Sequence, residues 1–129
     1  DIRVIGGKSR EIPWRIGIKD PVNKRRFATI VKLRDRAIAT SGIYERQIGR
    51  KTKVSHIINA KTGQPAQELM SATVIAKNAI DADALSTVVF LLGAKKGMEL
   101  VEKLRDVEAL VITKKGEVIR SSNFYKYES

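Results

Sequence analysis

The chain has 129 residues, with 25 Lys and Arg against 14 Asp and Glu, a formal net charge of +11, no cysteine and 43% hydrophobic residues. That is one domain's length with enough apolar content for a core, and the missing cysteine excludes a disulfide framework, a thiolate nucleophile, a zinc–thiolate site and an iron–sulfur cluster together. The charge is lopsided: residues 1–70 hold 16 basic and 6 acidic residues, net +10, whereas 71–129 hold 9 and 8, net +1, so the first half suits a phosphate-rich or other anionic partner, or simply a solvated surface.

The first residue is Asp1, with no signal peptide or leader to read, and an N-terminal segment is expected to precede it. Residues 2–5 and 14–18 read as two strands joined by the turn-rich Gly6-Gly7-Lys8-Ser9. Asp20-Pro21 stops the second, and residues 22–26 form an exposed basic loop. Residues 27–33 and 36–40 are β-rich runs around Arg34-Asp35, a spacing that predicts a tight hairpin, with Ser41-Gly42 ending the second strand. Residues 55–59 predict a short strand running into a polar loop, Ala60-Lys61-Thr62-Gly63-Gln64-Pro65. Another strand is expected over 72–76.

The period then changes. Ala84, Leu85, Val88, Val89 and Leu92 recur at helical spacing over 80–92, with Asp81 placed either to cap the helix or to favour its N-terminus and Gly93 as the stop. A second helix over 95–104 would place Met98, Val101 and Leu104 on one face. The end reads as a hairpin, 109–113 and 117–120 around Lys114-Lys115-Gly116. No run approaches the ~18 apolar residues of a membrane span. Strands clustered apart from two helices argue α+β rather than a doubly wound parallel sheet.

Three segments could carry chemistry. Asp83 and Thr87, four residues apart, share one helix face; a carboxylate and a hydroxyl there either hold Mg²⁺, which takes oxygen ligands, or serve as a first-turn acid and a hydroxyl bonded back to a carbonyl. His56 is the only histidine and stands beside Asn59, Lys61, Thr62 and Gly63, where it is either a general base next to a phosphate-cradling loop or a structural hydrogen-bonder. The third, Ser41-Gly42-Ile43-Tyr44-Glu45, reads by itself as a strand-to-turn transition. Neither Gly-x-x-x-x-Gly-Lys-Ser/Thr nor Gly-x-Gly-x-x-Gly is present.

Taken in order, Asp1-Ile2-Arg3-Val4-Ile5-Gly6, Pro13-Trp14-Arg15-Ile16-Gly17-Ile18-Lys19-Asp20-Pro21 and Ala39-Thr40-Ser41-Gly42-Ile43-Tyr44-Glu45-Arg46 resemble successive motifs of the ApbE family of FAD:protein FMN transferases. So do Ser55-His56-Ile57-Ile58-Asn59-Ala60-Lys61-Thr62-Gly63-Gln64-Pro65, Ala82-Asp83-Ala84-Leu85-Ser86-Thr87 and Phe90-Leu91-Leu92-Gly93. The resemblance implies an α+β, ApbE-like fold of mostly antiparallel strands with two consecutive helices, about residues 80–92 and 95–104. It also implies that residues 1–129 are a single domain, the C-terminal part of such a protein. A preceding N-terminal region would supply contacts to the adenine and flavin of FAD and to metal.

The implied activity is Mg²⁺-dependent transfer of FMN from FAD to a Thr or Ser hydroxyl of an acceptor protein, releasing AMP. Residue by residue, the resemblance implies Asp83 and Thr87 as Mg²⁺ ligands with Ser86 beside them, His56 as the catalytic histidine, and Ile57, Thr62 and Gly63 as contacts to FAD. Two positions depart from the family pattern: Ile43 stands where Asp or Asn is common, and Ala60 where Pro is usual. The implied location is that of a lipoprotein anchored to a membrane and facing the periplasm or exterior, or the cytoplasm. Two rival readings are a basic nucleic-acid-binding module, disfavoured by the few aromatic residues and the lack of a recognised motif, and a non-catalytic flavin-binding protein. Salt-dependent nucleic-acid binding would mark the first, and stable FAD binding without AMP release the second.

Overall fold

The computed structural model describes residues 1–43 and 68–128. The described elements in chain order are β1 (Ile2–Arg3), β2 (Trp14–Lys19), β3 (Phe27–Leu33), β4 (Ala37–Gly42), β5 (Leu69–Ala76), α1 (Ala79–Lys103), β6 (Glu108–Thr113) and β7 (Val118–Arg120), followed by a 3₁₀ turn over Phe124–Tyr127. Five strands form an antiparallel sheet in the order β1-β4-β5-β6-β7, and β2 pairs with β3 in a separate antiparallel ribbon. The α+β expectation with mostly antiparallel strands holds. The expected strand over 55–59 and its loop lie outside the described residues.

The pleat sorts the five-stranded sheet into two faces. Ala37, Ala39 and Ile43, with Ala72, Val74 and Ala76 of β5 and Ala109 and Val111 of β6, pack against Ala82, Val89, Phe90 and Val101 of α1. The alternate residues Ile38, Ile75, Leu110 and Ile112 pack with Ile18, Val31 and Leu33 of the ribbon and with Phe124. The result is three layers: helix, sheet, ribbon. Because β4 and β5 are covered on both faces, they read as almost continuous small or apolar runs rather than as alternating ones.

Four expectations are corrected. The runs around Arg34-Asp35 do not form a hairpin: β3 stays in the ribbon while β4 crosses into the five-stranded sheet between β1 and β5. A two-residue type I′ turn needs positive φ at both central residues; Asp35 has it, at 50°, and Arg34 does not. Instead the Asp35 carboxylate accepts from the Gly6 amide at 2.7 Å and Arg34 donates to the carbonyls of Ser9 and Arg10, pinning the crossover to the link after β1.

Of the two roles open to Asp81 the structure has the second: the cap is Asn78, whose side-chain oxygen accepts from the Asp81 amide at 2.8 Å, and Asp81 sits in the first turn and takes a 3.1 Å bond from the Asn78 amide group. The buried stripe of α1 is Ala82, Ser86, Val89, Phe90, Gly93, Gly97 and Val101. Of the stripe expected over 80–92, Val89 is in it, whereas Ala84, Val88 and Leu92 are exposed and Leu85 is half-buried. β1 ends at Arg3 rather than residue 5.

The two expected helices are one helical segment broken where the sequence places the stop, at Gly93, with φ 86° and ψ −179°. That conformation is close to glycine-only. The Glu68 carboxylate fills the break, accepting from the Ala94 amide at 3.0 Å, and a β-carbon on Gly93 would lie 2.2 Å from its oxygen. The C-terminal hairpin forms as expected, β6 against β7 around Gly116 at φ 87°.

Candidate functional site

The candidate residues gather where α1 crosses the end of β4. Small side chains on that face of the sheet, Ala37, Ala39 and Ala72, let the helix approach closely. Ser41 continues the same face and reaches the helix. Its hydroxyl lies 2.8 Å from the Ser86 hydroxyl and 3.2 Å from the Thr87 hydroxyl. Both helix hydroxyls also lie within hydrogen-bond distance of the Asp83 carbonyl, Ser86 at 2.9 Å and Thr87 at 3.3 Å. Such back-bonding is common for Ser and Thr inside helices, and here a strand hydroxyl ties the two together.

Burial grades outward across the cluster. Ser86 is fully buried, Ser41 nearly so, Thr87 half-buried and Asp83 exposed. Among the described residues the Asp83 carboxylate makes no hydrogen bond or ion pair, while the backbone carbonyl of the same residue anchors the hydroxyls. The helix therefore presents a carboxylate with a hydroxyl one turn on, both at the rim, over a hydroxyl pair sealed beneath them.

This donor set suits a particular kind of ion. No group of three or more His, Cys, Asp or Glu side chains that could hold a metal occurs among the described residues. One carboxylate and a hydroxyl cannot satisfy a closed four-ligand zinc site, but they suit Mg²⁺, which is bound through one or two carboxylates and keeps waters and substrate phosphates as its other ligands. The residues fit that ion. His56, Ile57, Thr62 and Gly63 lie outside the described residues, as do Tyr44, Glu45 and Ala60. Ser41 was legible only as part of a strand end; the signal for more was a hydroxyl continuing the alternation of Ala37 and Ala39 on an otherwise apolar face.

These features define a class: an antiparallel α+β domain whose helix brings a carboxylate and hydroxyls together at its crossing with the sheet. The chain belongs to the ApbE family, whose model matches residues 1–111. It is 37% identical over 107 residues to FAD:protein FMN transferase of Treponema pallidum (strain Nichols), covering 81% of this chain and 30% of that protein. Against FAD:protein FMN transferase of Haemophilus influenzae it is 36% identical over 133 residues, covering 98% and 38%. The structure is similar to the ApbE protein of Thermotoga maritima, with a TM-score of 0.87 at 35% identity over 98% of this chain and 42% of that one. The flavin transferase ApbE of Vibrio cholerae gives 0.77 at 34% identity over 97% and 41%. The chain thus spans about a third of the length of the curated relatives it matches.

Proposed function

We propose that this chain carries the metal-binding and histidine-containing part of an FAD:protein FMN transferase. The observation that carries the reading is the placement of an exposed Asp83 and a half-buried Thr87 one turn apart on one face of α1, within the region that matches the family. In the reaction, the hydroxyl oxygen of a Thr or Ser on an acceptor protein forms a bond to the phosphorus of the FMN half of FAD. The bond from that phosphorus to the bridging oxygen breaks, and AMP leaves with the oxygen. The product carries FMN through a phosphoester.

Asp83 and Thr87 would hold Mg²⁺ at the pyrophosphate, with Ser86 behind them. Held by these residues, the ion would supply Lewis-acid stabilisation of charge on the phosphates, an effect usually of several kcal/mol. His56 would orient the acceptor hydroxyl and take its proton, worth about 10²–10⁴-fold when the geometry is right. The backbone at Ile57 and the loop holding Thr62 and Gly63 would contact FAD.

The test is flavin transfer by the whole protein. Asp83→Ala should abolish Mg²⁺-dependent transfer while leaving the fold intact; a fully active variant would sink the metal assignment. His56→Ala should bind FAD normally and transfer slowly, and an unchanged rate would remove its catalytic role.

A further inference from the structure

We infer that Ser41 is a positioning residue that sets the direction of the Thr87 hydroxyl, with Ser86 as the link that sets Ser41; the inference rests on the Mg²⁺ reading of Asp83 and Thr87.

The argument is a count of protons. A hydroxyl has one proton to donate and two lone pairs to accept with. The Asp83 carbonyl can only accept, and Ser86, at 2.9 Å against 3.3 Å for Thr87, is the nearer hydroxyl and spends its proton there. Ser41 lies 2.8 Å from Ser86 and must then be the donor in that pair. With its own proton committed, Ser41 can only accept from Thr87, at 3.2 Å. The other acceptor for the Thr87 proton, the Asp83 carbonyl at 3.3 Å, is further away and already serves Ser86. Two hydrogen-bond chains satisfy one proton per hydroxyl, and the shorter contact to the carbonyl selects one of them: Thr87 to Ser41, Ser41 to Ser86, Ser86 to the carbonyl, over the reverse.

The consequence falls on Thr87. A cation needs a hydroxyl lone pair and is repelled by its proton. With the proton drawn inward to Ser41, the half-buried oxygen turns lone pairs toward the rim it shares with Asp83. Without Ser41, the proton keeps only the longer bond to a shared carbonyl, and the hydroxyl is free to turn outward. Ser41 comes from a strand and Thr87 from a helix, so the device also registers the helix on the sheet. Hydrogen-bond partners behind a ligand generally change metal affinity or activity by about 10–100-fold, and the low end applies where one weaker acceptor remains.

The experiment uses Mn²⁺ alone as the probe, with free ion read by electron paramagnetic resonance in the whole protein, alongside thermal unfolding. Asp83→Ala should remove most of the binding. Ser41→Ala should weaken it about tenfold, with thermal unfolding still cooperative. In a Thr87→Ala background, adding Ser41→Ala should change nothing further, because Ser41 acts through the missing hydroxyl. An equal loss in both backgrounds, or none in either, overturns the inference. If Ser41→Ala does not fold, Ser86→Ala stands in: it frees the Ser41 proton to turn on Thr87 and should weaken Mn²⁺ binding likewise, and unchanged binding overturns the inference. If Asp83→Ala binds Mn²⁺ normally, the metal reading fails and takes this one with it. Loss in Asp83→Ala with none in Ser41→Ala overturns the inference alone.

Discussion

The two faces of the five-stranded sheet treat the same chemical group in opposite ways. On the helix face, the Ser41 hydroxyl leaves the sheet to bond two hydroxyls of α1, and every hydroxyl in that cluster has a partner. On the ribbon face, Thr40 and Thr73 bond each other across the strand pair at 2.8 Å, and Ser71, next along β5, is fully buried with no hydrogen-bond partner among the described residues. The ribbon face is held by large apolar side chains, Leu33, Leu110, Ile75 and Phe124 among them, while the helix face is lined with alanines. A satisfied buried polar network fixes how two elements meet, whereas a buried polar group without a partner costs its desolvation. The helix face is the one that carries the hydroxyl cluster.

Substitutions sharpen this contrast, the largest at the break in the helix. Gly93→Ala should cost about 2–4 kcal/mol, from a backbone conformation that disfavours any β-carbon and from displacement of the Glu68 carboxylate that caps the second half; chemical denaturation measures it. A loss below about 0.5 kcal/mol would show that the break relaxes into a continuous helix, so that the helix face is not held in register from both ends. The next pair has opposite signs. Ser41→Ala removes satisfied bonds and should cost about 1 kcal/mol, whereas Ser71→Ala removes a buried hydroxyl with no partner among the described residues and should stabilise by about 1 kcal/mol or more. Like signs for the two would erase the distinction between the faces.

Much of the fold was legible in the sequence where short-range signals sufficed. The β6–β7 hairpin was marked by Lys114-Lys115-Gly116, and the helix break by a glycine after an apolar run. The crossover between β3 and β4 was not, because Arg34-Asp35 has the length of a hairpin turn and only the contacts of Asp35 with Gly6 and of Arg34 with Ser9 and Arg10 send the chain to another layer. The orientation of α1 was misread for a related reason. Leu92 and Val88 are more hydrophobic than Ala82 and Ser86, yet a sheet face of alanines takes the small residues inward. For the site, the i, i+4 spacing put Asp83 and Thr87 on one face, but the partner of Thr87 lies 46 residues away in sequence, beyond any periodicity.

The smallest expected effect is a difference in acid sensitivity between the layers. In the ribbon, Asp20 is buried at the loop between β2 and β3. Its carboxylate is held below the ordinary range first by the side-chain bond from Arg26 at 2.8 Å and then by the amides of Asn23 and Val22, against the opposing pull of burial. On α1, the Glu102 carboxylate is lowered by the amide and hydroxyl of Ser122, at 2.6 and 2.8 Å. A carboxylate whose pKa is lower folded than unfolded contributes stability that is complete above its unfolded value, about 4, and disappears as pH falls through the folded one. Both contributions should therefore vanish below about pH 4, but in different places. Trp14, the only tryptophan, sits in β2 and reports on the ribbon, while far-ultraviolet circular dichroism reports mainly on α1. Asp20→Asn should flatten the acid dependence seen by tryptophan fluorescence, and Glu102→Gln that seen by dichroism. If each variant moves both signals equally, the layers unfold as one unit, and the difference between the two faces belongs to the site alone and not to stability.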